Sequence, residues 1–293
     1  NIAIGRSALA VSGNDGDTNI AIGLAALGTG DVAGAGNIGI GASALTALTG
    51  GTNNIAMGLT SADALLGGTD NVAIGRLSFS ASTDGADNIA IGRSALAVSG
   101  NDADCNIAIG LSALGGADVS GLSNIAIGSL SADAVTTGVC NIAIGANAYG
   151  TAAAGGQNVA IGELALGTGL VTGTGNIALG VSALSAVTGG TNNIGIGLTS
   201  GDALTGGTDN VAIGRLALSA SPDGVSNIAI GLSALALSDG VADCNIAIGL
   251  SALGAADVSG LSNIAIGSLA ADVLTTGVCN IAIGSNAYGV AAA

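Results

Sequence analysis

Asn19-Ile20-Ala21-Ile22-Gly23 decides the fold, because the same five-residue pattern returns along the whole chain. It reads Asn-(Ile/Val)-(Ala/Gly)-(Ile/Leu/Met)-Gly, with Asn at 1, 19, 37, 54, 71, 88, 106, 124, 141, 158, 176, 193, 210, 227, 245, 263 and 280. Seventeen units follow, of 17 or 18 residues where complete. Apolar side chains alternate at period two within the motif, which predicts a strand with one buried face. A stretch such as Ser7-Ala8-Leu9-Ala10-Val11 predicts a second short strand, and a Gly/Asp/Ser/Thr-rich turn closes the unit. Repetition at this length predicts an all-β parallel β-solenoid, or β-roll, of about 17 coils. At about 4.8 Å per coil the expected rod is about 80 Å long.

A longer period lies over the short one. Residues 37–154 match 176–293 at 93 of 118 positions, at an offset of 139 residues or eight units. We therefore read 1–293 as one repeat array with an internal duplication, and expect it to be a segment of a longer chain.

Numbering slots from the Asn, slot 2 is Ile or Val and slot 4 is Ile apart from Met57 and Leu179. These large residues are expected to fill the lumen. Slot 5 is always Gly, represented by Gly110, Gly128 and Gly145, as a corner with positive φ or a close backbone neighbour requires. Slot 1 is always Asn, and Asn106, Asn124 and Asn141 are expected to pair their side-chain amides in a structural ladder from coil to coil. Slot 6 holds all four Arg (Arg6, Arg76, Arg93, Arg215) and the only Glu, Glu163, so it faces water. Every Asp falls in slots 10 to 17, making the second strand and its turn the wet, acidic side. Slot 3 is Ala in fifteen units and Gly at 39 and 195. On the face opposite the two Ile it points out of the lumen, and a stripe of small residues there predicts close approach of another copy. Ala108, Ala126 and Ala143 are thus the expected chain–chain interface, since uncovered parallel sheet faces are rare.

Composition narrows the function. The chain has 53 Gly in 293 residues, one Pro, no His, no Trp and no Lys, and a net charge of -15. Collagen needs Gly at every third position and abundant Pro. A nucleic-acid partner needs basic residues. No apolar run approaches a membrane span of roughly 20 residues, so no membrane insertion is expected in this segment. Without His, Lys or paired Glu no catalytic constellation forms, and neither enzyme activity nor a cofactor is expected. The Gly-x-Gly patterns such as Gly39-Ile40-Gly41 are repeat corners, since no helix follows them. Turns carrying Asp15, Asp17, Asp102 and Asp104 offer oxygen ligands for Ca²⁺ but lack a bidentate Glu, and are read as solvated acidic turns with no metal site. Cys105 and Cys140, like Cys244 and Cys279, are two coils apart, about 9.6 Å at the coil spacing. That exceeds the roughly 7 Å limit for a disulfide. Buried free thiols are expected, with an inter-chain bridge as the alternative.

The tandem Asn-Ile-Ala-Ile-Gly motif resembles the head repeats of trimeric autotransporter adhesins and is similar to repeat arrays of phage tail-fibre proteins. The resemblance spans the chain. It implies a trimeric left-handed parallel β-roll serving as the shaft or head of an extracellular or virion fibre, with a cell-surface receptor or glycan as a possible partner. The expected function is therefore non-enzymatic, structural and adhesive. A self-assembling filament or sheath subunit is the alternative. Ice binding fits less well, because it wants a flat regular Thr row and the Thr residues here cluster irregularly in turns.

Overall fold

Three-residue strands recur once per unit, each centred on slot 3, in a computed structural model that describes residues 1–11, 16–99, 103–152, 154–238, 242–254 and 258–289. No helix is present among the described residues. The chain divides into two compact units, Asn1–Asn147 and Ala148–Ala293. The first holds nine strands from β1 (Ile2–Ile4) to β9 (Ile142–Ile144), among them β7 (Ile107–Ile109) and β8 (Ile125–Ile127). The second holds eight, from β10 (Val159–Ile161) to β17 (Ile281–Ile283).

Within each unit successive strands pair in parallel with no slip. Ile107 lies beside Ile125, Ala108 beside Ala126 and Ile109 beside Ile127. Hydrogen bonds flank each pair on both sides: Ile107 N donates to Asn124 O at 2.8 Å and Gly128 N to Ile109 O at 2.8 Å. The expected parallel β-solenoid is what the chain forms, with the short repeat as its coil.

The expected second strand does not form. Slots 7 to 9 make a turn in which slots 7 and 9 are left-handed, as at Ser112 (φ 50) and Leu114 (φ 48). Left-handed backbone costs an L-residue roughly 1–2 kcal/mol, so something must hold it. Inter-coil bonds do so, because Ser112 N donates to Arg93 O at 2.9 Å and Leu114 N to Ser131 O at 3.0 Å. Leu114 is also fully buried, so the turn places its side chain in the lumen.

The lumen is the reverse of the one expected. Slot 3 points into it: Ala108, Ala126 and Ala143 are each 0% exposed within the single chain. A Cβ added to Gly39 at the same slot would lie 3.4 Å from Leu27 Cγ, which fixes the direction. The interior is filled by slot 3, by Ala or Ser at slot 8 such as Ala113, and by slot 9 such as Leu114. Coils with a small slot 9 carry a large slot 12 instead, as Ala62 with Leu65, Ala132 with Val135 and Gly201 with Leu204. Slots 2 and 4 stand outside, half-buried to exposed, with Ile127 37% exposed. Two facing Ile per coil have no room in so thin an interior, whereas Ala facing Ala or Ser has.

Candidate functional site

The buried polar column comes first, because it sets the outer face. Asn124 is 1% exposed and satisfied on every side. Its backbone N–H and its Nδ2 donate to Asn106 Oδ1 at 2.9 and 3.2 Å. The same Nδ2 crosses its own coil to Gly138 O at 2.8 Å. Its Oδ1 accepts from Asn141 N at 3.0 Å and Asn141 Nδ2 at 3.1 Å. Asn106 repeats the pattern, with Nδ2 donating to Gly121 O at 3.0 Å. The carbonyl partner lies three residues before the next Asn, where every coil has Gly or Ala. The Asn column thus closes each coil as well as joining it to the next, and the first of these roles has no signature in the motif itself.

Slot 5 completes the corner. Gly110, Gly128 and Gly145 have φ of 136°, 135° and 134°. A Cβ on Gly128 would lie 2.5 Å from Gly145 O, so conformation and space both demand glycine.

With Asn inside, strand alternation turns slots 2 and 4 outward in every coil. Leu at slot 6 extends the apolar surface around the corner, as at Leu24, Leu59, Leu111, Leu198 and Leu250, all exposed. The result is a continuous Ile/Val and Ile/Leu band along each unit, with slot 6 as one rim and the residue before the Asn, slot 0, as the other. Ala108, Ala126 and Ala143 cannot line a contact between chains, because they are already covered by their own chain. The outward Ile residues replace them as the surface open to a partner.

The remaining candidates are on or near the surface. Cys105, Cys140, Cys244 and Cys279 are free and exposed rather than buried, because slot 0 is the left-handed residue that swings outside the corner. Asp63, Asp133 and Asp202, all at slot 10, have carboxyls held above the usual range by partial burial, with a backbone hydrogen bond opposing. Asp202 Oδ1 is buried without a partner. Burial also pushes the Tyr149 phenol up to about 12, against the hydrogen bond from Asn158. Its hydroxyl donates to Gly155 O at 2.8 Å and accepts from Asn158 Nδ2 at 2.9 Å. Of the acidic turns, Asp15 and Asp102 lie outside the described residues. Asp104 Oδ1 accepts from Ala86 N of the neighbouring coil at 2.7 Å. Among the described residues no group of three or more His, Cys, Asp or Glu side chains could hold a metal ion. No helix of the described residues is long and apolar enough to cross a membrane. No protein-family model matches the chain, and no curated protein matches its sequence.

Proposed function

We propose that this chain is a non-enzymatic structural protein that works by packing against copies of itself, as a trimeric β-solenoid segment of an extracellular or virion fibre. The observation that carries the reading is the outward band of Ile at slots 2 and 4, repeated in every coil and extended by Leu at slot 6. Parallel sheets are ordinarily covered on both faces, and apolar bands of this continuity mark interaction surfaces. Covering the remaining third of one slot-4 Ile is worth about 0.5–1 kcal/mol, a third of the 1.5–3 kcal/mol for a whole side chain. Seven or more coils in line add such increments to several kcal/mol, comparable with the 4–15 kcal/mol that association costs. A short contact would fail where a long one succeeds, which suits a fibre.

The test pairs two substitutions at adjacent residues of β8. Ile127→Lys puts a charge on the outer face, and is expected to lower the mass seen by light scattering while leaving the β-type circular dichroism near wild type. Ala126→Lys puts its charge into the lumen and is expected to unfold the surrounding coils instead. A wild-type chain that remains monomeric at 100 µM and above would overturn the reading.

A further inference from the structure

Each rim of the apolar band carries charge, and the two rims are matched. Asp occurs at slot 0 at three positions only, Asp70, Asp87 and Asp209. The slot 6 that follows each of them is Arg: Arg76, Arg93 and Arg215. The fourth Arg, Arg6, has its slot 0 ahead of residue 1. Glu163 at slot 6 follows Gln157, so no coil carries an acid on both rims. The internal duplication sharpens the pattern. Asp70 with Arg76 is kept as Asp209 with Arg215, whereas Asp87 and Arg93 become Ser226 and Leu232 together. The charges are kept or lost as pairs.

They do not pair within their own coil. The three-residue strand and the slot 5 corner separate slot 0 from slot 6, which places the two charges on opposite rims of the band. All six side chains are exposed. In the first unit the charges stack on their own kind, Asp70 over Asp87 and Arg76 over Arg93, at the spacing of neighbouring strands. Like charges at that separation repel. Asp70 Oδ1 has only the neutral Asn53 Nδ2 as its side-chain partner at 3.1 Å, and Asp209 Oδ1 has Asn192 Nδ2 at 3.1 Å. Among the described residues neither column is paired with a counter-charge of its own chain, and the other rim of a second copy supplies it.

We infer that copies of this chain associate parallel and in register, with the Asp rim of one chain against the Arg rim of the next, so that Asp70 meets Arg76, Asp87 meets Arg93 and Asp209 meets Arg215 between chains. This rests on the self-association proposed above and adds its polarity and register. Any rotation about an axis along the coil stack places slot 0 of one chain beside slot 6 of another at the same level. An antiparallel arrangement sets Asp on Asp and Arg on Arg. A slip of one coil in the first unit keeps one opposite-charge pair of two and leaves the displaced Asp and Arg against uncharged neighbours. Rim charges select orientation and exclude wrong partners more than they add affinity, and the apolar band supplies the rest.

Two variants and a mixing experiment test the inference. Arg76→Asp with Arg93→Asp and Arg215→Asp makes both rims acidic, and should weaken association of the full chain tenfold or more by sedimentation or light scattering. Adding Asp70→Arg, Asp87→Arg and Asp209→Arg exchanges the rims, and should restore self-association to within about threefold of wild type. The exchanged chain should nevertheless fail to mix with wild-type chains carrying a different fluorophore, because every heterotypic contact then apposes like charges. Circular dichroism of each variant confirms that the exposed substitutions leave the coils folded. Wild-type association with undiminished assembly of the acidic variant, or free mixing of exchanged and wild-type chains, would overturn the register while leaving self-association intact. A wild-type chain that never associates would overturn both.

Discussion

Replacing Asn124 by Ala tests the column that holds the coils together. The substitution leaves Asn141 N–H without its acceptor, 3.0 Å away in the native chain, and Gly138 O without the Nδ2 that reaches it at 2.8 Å. Asn106 Oδ1 keeps the Asn124 backbone N–H at 2.9 Å, so the damage runs toward the following coil. Each orphaned buried group costs about 1–3 kcal/mol, which places Asn124→Ala at about 2–6 kcal/mol. Because solenoids open by neighbouring coils rather than all at once, native-state hydrogen exchange is the sensitive assay. The Asn141 amide should exchange at least about 30-fold faster, which corresponds to 2 kcal/mol at 1.4 kcal/mol per tenfold. Ser129→Ala at exposed slot 6 is the control and should stay within about 0.5 kcal/mol of wild type. Asn124→Asp keeps the acceptor but turns a carboxylate toward Gly138 O in a buried site, where desolvation raises its pKa. A raised folded pKa means that the native state binds the extra proton. The variant is therefore most stable below the unfolded value of about 3.9, and loses that stability as pH rises through the folded value. Unfolding of Asn124→Ala within 0.5 kcal/mol of wild type, with unchanged exchange at Asn141, would refute a structural column.

Three other sites give contrasting expectations. Gly128→Ala meets both a φ of 135° and a carbonyl 2.5 Å from the new Cβ, and should lose about 3 kcal/mol; Gly50→Ala, with nothing within 4 Å, should be neutral or slightly stabilising in the same denaturant titration. Asp202 has a carboxyl raised by partial burial, so its contribution is best below the unfolded value near 3.8 and is lost as pH rises. Asp202→Asn should accordingly raise the melting temperature by a few degrees at most at pH 7, with the difference closing toward pH 3.

Coil length, parallel pairing and register were legible in the chain by itself, because a strictly repeated Asn and Gly leave one way to stack the coils of each unit without slip. The Gly at slot 5 was legible for the same reason, since Gly110, Gly128 and Gly145 satisfy a backbone demand that no other residue meets. Which strand face is buried was decided only by the tertiary structure. Period two assigns Ile107 and Ile109 to one face and Ala108 to the other, but parity carries no sign. Size suggested Ile inside. The deciding constraint is Asn106, which must face inward to reach Gly121 O across the coil, and slot 1 shares its face with slot 3. Tertiary contacts likewise decided the turn at slots 7 to 9, where Leu114 takes a left-handed conformation that its propensity disfavours because inter-coil bonds and the lumen reward it. The exposure of Cys105 and its equivalents follows from the same geometry: slot 0 is left-handed at the corner, and a side chain there points outward whatever its polarity.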